Sequence, residues 1–301
     1  MKMTRRENLK LLGAMGVSSL APSWLAFEDA IIKRRIPSTG EMLPSIGLGT
    51  WKTFDVGPKE REPQKNVLNT LLAKQGTAVD TSPMYGQAEE VIGDVSNALG
   101  NNKQLFLATK VWTTGREAGV AQMNKSFSLL KRKQIELMQV HNLVDWKTHY
   151  KTLQQWKEEG KIKYIGITHY VNSAHDEIAD IIKTTPMDFV QINYSLTARN
   201  LEKKLLRFAE EKKVALMINQ PFNGGNIFDL VRNKTVPAWA AEFDCTSWPQ
   251  FFLKYILADP AVTCIIPGTS NPIHMLENSA AGIGKLPNEK QRQRMIQFIE
   301  A

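Results

Sequence analysis

Eight short apolar runs, each followed by an amphipathic stretch, constrain what this chain can fold into more than any other feature. The runs are Ile46–Thr50, Ala78–Thr81, Leu105–Val111, Ile135–Val140, Tyr164–Thr168, Phe189–Asn193, Ala215–Asn219 and Cys264–Pro267. Several are apolar at consecutive residues, the pattern of parallel strands covered on both faces. Helical stretches lie between them at Glu60–Lys74, Glu89–Leu99, Val120–Lys131, Lys147–Glu159, Ser173–Lys183, Leu201–Lys212 and Pro249–Leu257. Another follows the last run, near Pro272–Ala280. Eight βα units in a chain of 301 residues predict an α/β fold, a single (β/α)8 TIM barrel rather than an open doubly wound sheet. Ahead of the first run, Ile32–Pro37 and Glu41–Pro44 flank Ser38-Thr39-Gly40, which predicts an N-terminal β-hairpin capping the barrel bottom. No GxGxxG follows an early strand, and Gly47-Leu48-Gly49 is too short to count, so a Rossmann site is disfavoured.

Residues 1–30 read differently from the barrel domain expected over 31–301. Thr4-Arg5-Arg6-Glu7-Asn8-Leu9-Lys10 precedes a weakly apolar stretch, Leu11 to Phe27, broken by Gly13, Gly16 and Pro22. A bilayer-spanning helix needs about 20 continuous apolar residues, and this stretch falls short. Paired arginines before a modest, glycine-containing apolar region resemble a twin-arginine signal. The match covers Thr4, Arg5, Arg6, Leu9 and Lys10, with Asn8 as a departure. It implies export of a folded protein to the bacterial periplasm, with the twin-arginine machinery as partner and the cleavage site open. A disordered basic tail is the alternative.

The net charge is +8, yet no basic run with interleaved aromatics occurs, so no nucleic-acid partner is expected. Two cysteines, Cys245 and Cys264, sit in no CxxC or Cys/His cluster. They read as packing residues, and no metal site is expected. The chain is expected to be a monomer.

In a barrel, chemistry gathers at the C-terminal ends of the strands. Read in order, those ends carry Asp80 with Tyr85 just beyond, Lys110-Val111-Trp112, His141-Asn142, Thr168-His169, Gln191 and Asn193, and Asn219-Gln220. These residues lead to a family resemblance. Val79-Asp80-Thr81-Ser82-Pro83-Met84-Tyr85-Gly86 resembles the aldo/keto reductase segment that holds an Asp and the catalytic Tyr. Ala108-Thr109-Lys110-Val111-Trp112 resembles the segment with its Lys, and Leu137-Met138-Gln139-Val140-His141-Asn142 the segment with its His. Ile46-Gly47-Leu48-Gly49-Thr50-Trp51 matches the opening strand. Ile266-Pro267-Gly268-Thr269-Ser270-Asn271, with Glu277-Asn278, resembles the adenosine-phosphate segment. The resemblance spans about residues 32–285 in order.

It implies reduction of aldehydes or ketones to alcohols with NADP(H), NAD(H) being the alternative, and Asp80, Tyr85, Lys110 and His141 as catalytic residues. It further implies cofactor contacts from Gly49, Thr50, Thr168, His169, Gln191, Asn219, Gln220, Pro221, Phe222, Pro267, Gly268, Thr269, Ser270, Asn271, His274, Glu277 and Asn278. Trp51, Met84, Trp112 and Asn142 would border the substrate. The physical logic agrees. An unperturbed tyrosine titrates near 10, and bringing it about 3 units lower takes roughly 4 kcal/mol in favour of phenolate. Lys110 as a cation would supply this, Asp80 would keep Lys110 charged, and His141 would polarise the carbonyl.

Four positions depart from the family pattern. His169 stands where an Asn usually holds the nicotinamide amide, and Asn219 where many members stack a Tyr. Gly268 occupies a position that commonly holds a cation for the 2′-phosphate, and His274 another common Arg position. His169, His175 and His274 receive no catalytic role, and His149 reads as a surface residue. Two other functions stay open: a cofactor-binding regulatory or redox-sensing barrel with little turnover, and a barrel hydrolase or aldolase using Lys110 as a Schiff base.

Overall fold

The computed structural model describes residues 31–301, so the segment expected to act as an export signal lies outside the described residues. A two-stranded antiparallel hairpin comes first, β1 (Lys33–Arg35) and β2 (Met42–Pro44), with Arg34 opposite Leu43. Eight parallel strands follow: β3 (Leu48–Gly49), β4 (Ala78–Asp80), β5 (Phe106–Val111), β6 (Ile135–His141), β7 (Ile162–Thr168), β8 (Phe189–Asn193), β9 (Ala215–Asn219) and β10 (Val262–Ile265). They pair in sequence order. The alternating helices are α1 (Glu62–Ala73), α2 (Ala88–Ala98), α3 (Arg116–Leu129), α4 (Trp146–Glu158), α5 (His175–Thr184), α6 (Leu205–Glu211), α7 (Trp248–Leu257) and α8 (Pro272–Ala280). A further helix, α9 (Glu289–Glu300), closes the chain.

The eight expected runs are therefore the eight strands, and the architecture is a (β/α)8 barrel with an N-terminal hairpin. Closure needs the first and last strands to meet, and they do so through the parallel bridges Ile46–Ile265 and Gly49–Gly268. A Cβ on Gly49 would lie 2.7 Å from the carbonyl oxygen of Ile266, and one on Gly268 3.2 Å from that of Gly49. Glycine at this seam lets two backbones approach closer than side chains allow. Gly268 thus has a structural reason to be glycine, apart from any cation it displaces.

Strand periodicity sorts side chains into two populations. Val79, Leu107, Met138, Ile167, Val190, Leu216 and Ile218 join the core shared with the helices. The intervening Ala78, Phe106, Ala108, Leu137, Tyr164, Phe189, Ala215, Met217 and Cys264 form a second cluster with Ile36 and Leu43 of the hairpin segment. That cluster is the barrel interior, and the hairpin plugs its lower end. The Tyr164 hydroxyl donates to Glu41 Oε2 at 2.6 Å and lies 2.8 Å from Thr39 Oγ1, so the plug is bonded as well as packed.

Two features, the sixth helix and His149, differ from expectation. The predicted Leu201–Lys212 helix is interrupted: a 3-10 turn, Asn200–Lys203, precedes α6, with Lys204 in a non-helical conformation between them. Helix α9 is anchored by Arg292, which donates to the Tyr194 hydroxyl and to Glu202 Oε1, both at 2.8 Å. His149 is fully buried, not a surface residue. It faces Gly119 of α3, which leaves room for the ring, and its Nε2 lies 2.7 Å from the carbonyl oxygen of Thr113. Cys245 and Cys264 are both buried free thiols, in line with packing roles.

Candidate active site

Period-two alternation that sends Ala78 and Ala108 inward also sends Asp80 and Lys110 inward, one step nearer the catalytic end. Lys110 is completely buried, and a bare ammonium there would be costly. It is not bare. Its Nζ donates to Asp80 Oδ1 at 2.9 Å, to Asp80 Oδ2 at 2.7 Å and to the Thr81 carbonyl at 2.7 Å. Burial works against its charge, but Asp80 and the Tyr85 oxygen more than offset this, and its pKa lies above the usual lysine value. A lysine with three engaged donors and a held charge is a poor nucleophile, which counts against Schiff-base chemistry.

Asp80 is held from both sides. Gln191 Nε2 donates to its Oδ1 at 2.6 Å and Gln139 Nε2 at 3.3 Å. Thr168 Oγ1 in turn donates to Gln191 Oε1 at 2.9 Å. Thr168 and Gln191, expected at the cofactor, therefore also orient the carboxylate.

Tyr85 lies beyond β4, with Lys110 Nζ 5.0 Å from its ring centroid and the His141 ring edge-on at 6.0 Å. The phenol departs from expectation. Burial pushes it above its ordinary value; Lys110 pulls down, while Asp80 pushes up. Lys110 fails to win because burial outweighs its pull, and the Asp80 carboxylate adds to the upward push. Tyr85 is thus held as the protonated phenol. His141 is driven the other way, down to about 3, by burial first and then by Lys110 and His169. Its imidazole is neutral at ordinary pH. Ser82 Oγ lies 3.3 Å from His141 Nδ1; with the hydroxyl as donor, the ring proton belongs on Nε2.

These groups open into a cleft of about 690 Å³. Of the expected residues, Gly49, Thr50, Trp51, Asp80, Met84, Tyr85, Trp112, His141, Asn142, Thr168, His169, Gln191, Asn219, Gln220, Pro221, Phe222 and Gly268 line it. Trp51 (53% exposed), Met84 (40%) and Trp112 (41%) stand at its mouth. Pro267, Thr269, Ser270, Asn271, His274, Glu277 and Asn278 are not among the lining residues. They occupy the β10–α8 turn and α8. Asn271 there caps α8, its Oδ1 accepting from Ile273 N at 2.9 Å, and Thr269 Oγ1 accepts from Asn271 N at 3.0 Å.

Sequence reasoning missed several lining residues: Lys52, Tyr170, Gly224, Gly225, Phe228 and Ile266. It also missed Gln139, though a signal existed, since Gln139 is two residues before His141 and shares its face. Tyr170 stacks on His169, with ring centroids 5.5 Å apart, and its amide donates to His169 Nδ1 at 2.9 Å. The loops that build the cleft carry left-handed non-glycine residues: Lys52 after β3, Asn142, Leu143 and Asp145 after β6, Gln220 and Asn223 after β9. Each costs on the order of 1 kcal/mol, which the surrounding contacts must hold in place. The Oδ1 atoms of Asn142 and Asn219 are buried acceptors with no partner among the described residues. Asn219 is fixed by its Nδ2, which donates to the His169 carbonyl at 3.0 Å.

Fold and site together define a (β/α)8-barrel protein in which an aspartate, a lysine, a tyrosine and a histidine converge on one cleft at the C-terminal face. The chain belongs to the aldo/keto reductase family, whose profile matches residues 45–295. It is 27% identical over 200 residues to the aldo-keto reductase YhdN of Bacillus subtilis, a match spanning 61% of this chain and 60% of that relative. The methylglyoxal reductase YeaE of Escherichia coli is 22% identical, with 82% of this chain and 89% of the relative covered. Among solved structures, an aldo-keto reductase from Klebsiella pneumoniae in complex with NADPH superposes with a TM-score of 0.74 at 21% identity, covering 89% of this chain and 96% of that one.

Proposed function

We propose that this protein reduces aldehydes or ketones to alcohols with NADP(H), and that Asp80, Tyr85, Lys110 and His141 perform the acid–base part of the reaction. The observation that supports this best is the pairing of a buried, charged Lys110 with a Tyr85 held protonated beside a neutral His141. The cleft suits a nicotinamide nucleotide. The partnerless Asn219 Oδ1 can accept from a carboxamide, and Phe222 and Phe228, with ring centroids 5.0 Å apart, offer an apolar wall. The NADPH of the Klebsiella pneumoniae structure supports the choice of nucleotide. A reduced nicotinamide bound there supplies the hydride that adds to the carbonyl carbon.

Tyr85 delivers the proton to the carbonyl oxygen, and Lys110 stabilises the phenolate left behind. His141, carrying its proton on Nε2, donates a hydrogen bond to the same oxygen and polarises it. Gln139 and Gln191 keep Asp80 aimed at Lys110 and so hold the cation in place.

Because the mouth is built by Trp51, Met84 and Trp112, aromatic or medium-chain aldehydes should exceed glucose-like substrates in kcat/KM. No Lys or Arg occurs in residues 266–278, so NADPH should bind no more than about ten-fold tighter than NADH. Titration of both nucleotides by protein fluorescence, then a carbonyl panel, tests the reading. Nucleotide binding without turnover of any carbonyl compound would favour a regulatory barrel.

The protonation states make a separate prediction. With His141 near 3, no acid limb should appear in the reduction rate between pH 5 and pH 7. With Tyr85 pushed up, loss of the proton donor should begin only above about pH 10. A bell-shaped kcat/KM profile centred between those limits, with an acid limb near 6.5, would contradict this assignment.

We also propose that Arg5 and Arg6 direct export of residues 31–301 to the periplasm as a folded domain. Folding in a reducing compartment suits two unpaired thiols. Replacing both arginines by lysine keeps the charge but removes the pair that the export receptor reads. Cell fractionation should then find the variant in the cytoplasm and the parent in the periplasm; identical distributions would reject the proposal.

A further inference from the structure

Trp112 reaches the cleft from the loop between β5 and α3, and its ring lies 6.4 Å from that of His141. That loop is held from behind by side chains that do not line the cleft. Gln122, one face of α3, takes both backbone groups of Trp112: its Oε1 accepts from Trp112 N at 2.6 Å, and its Nε2 donates to Trp112 O at 3.2 Å. His149 of α4 donates from Nε2 to the next carbonyl, Thr113, at 2.7 Å. Asp145 Oδ2 accepts from Gly115 N at 2.8 Å. Gly119 is part of the same fit, since a Cβ there would come within 2.4 Å of the His149 ring. Asp145 also belongs to the left-handed turn that begins with Asn142, another cleft residue. Two neighbouring walls of the cleft are therefore tied together from outside it.

We propose that Gln122 and His149 are positioning residues: they fix the backbone that presents Trp112, and through Trp112 they set how well the site accepts bulky carbonyl compounds relative to small ones. This rests on reading the cleft as a carbonyl-reducing site. Trp112 favours bulky aromatic substrates only if its backbone is held, because a loop free to move loses the ring's packing contact with them. Gln122 makes both of its side-chain bonds to Trp112, one of the residues that form the mouth, and His149 makes its bond to the next residue.

The test uses the full chain with Gln122→Met, which keeps the side-chain length and removes both bonds, and Gln122→Glu, which keeps the acceptor and removes the donor. Gln122 is only half-buried, so both variants should fold. Two readouts are taken. Hydrogen exchange of amides 112–115 should speed up by about ten-fold or more in Gln122→Met, the scale of one or two lost hydrogen bonds. The kcat/KM ratio of 2-naphthaldehyde to propanal should fall by about ten-fold through KM, with kcat for propanal unchanged. Gln122→Glu should fall between the parent and Gln122→Met. His149→Gln, which retains an amide donor, should stay nearer the parent than His149→Leu. In a Trp112→Ala background, Gln122→Met should no longer alter the ratio. Unchanged exchange, a ratio shift that persists without Trp112, or equal losses on both aldehydes would each overturn the proposal. Absence of any turnover by the parent chain would instead show that the carbonyl-reductase reading is at fault, while the exchange measurement would still decide whether Gln122 holds the loop.

Discussion

Replacing Tyr85 by phenylalanine is expected to lower turnover by about two to four orders of magnitude, the scale of losing a positioned proton donor. The ring stays: it is partly buried against the main core, and Lys110 Nζ sits 5.0 Å from its centroid. Only the hydroxyl leaves. Fold and nucleotide affinity should therefore hold, the latter within about two-fold. The loss should appear in kcat and kcat/KM alike, because the proton is transferred in the transition state. Single-turnover measurement of NADPH oxidation separates this from a slowed product release. A variant with near-parental turnover would remove Tyr85 from the mechanism, and the His141 imidazole would become the first group to test in its place.

Replacing Lys110 by methionine is expected to act on stability and on chemistry together. The substitution leaves the Asp80 carboxylate buried without its cation, a loss of about 3–5 kcal/mol. For a domain of this size the melting temperature should fall on the order of 10 °C. Asp80→Asn in the same chain should restore part of that, because a neutral amide can stay among Gln139 and Gln191 without a counter-charge. The sign of the pH dependence follows. Burial already raises the folded-state pKa of Asp80 above its unfolded value, and losing the opposing pull of Lys110 raises it further. The penalty is then absent below the unfolded carboxylate pKa and grows as pH rises through the folded one. Thermal denaturation at pH 4.5 and pH 8 should show the smaller deficit at pH 4.5. Equal deficits would mean that Asp80 is not the group left stranded. Both single and double variants should lack measurable turnover, since neither can stabilise the Tyr85 phenolate.

These two substitutions bear on a design in which one ion pair serves fold and chemistry. A lysine can be buried in the barrel only because Asp80 and Thr81 complete its hydrogen bonds. The same site keeps Tyr85 a phenol: burial outweighs the pull of Lys110, and Asp80 adds to the push, so the phenol does not drop toward neutral pH as its position beside a lysine suggests.

The barrel is legible in local sequence patterns. Strand and helix identities are local matters, and consecutive apolar residues at Leu105–Val111 or Phe189–Asn193 can be covered on both faces only inside a parallel sheet. The sequence also determined which residues meet. Asp80 and His141 end their strands, Lys110 and Gln191 lie within two residues of the ends of theirs, and parallel strands in sequential order bring all such ends to one face. What the sequence leaves undecided depends on pairs far apart in the chain. The closeness of Gly49 and Gly268 at the seam requires a ring to be closed. Burial of His149 requires α4 to press on Gly119 of α3, and nothing local to a helix with lysines at 147 and 151 signals that. Thr168 and Gln191, which line the cleft, also support Asp80 because three strands direct their side chains to one point in the barrel. The protonation of Tyr85 is the clearest case. It depends on a contest between burial, one cation and one carboxylate, and only their distances in the folded chain decide it.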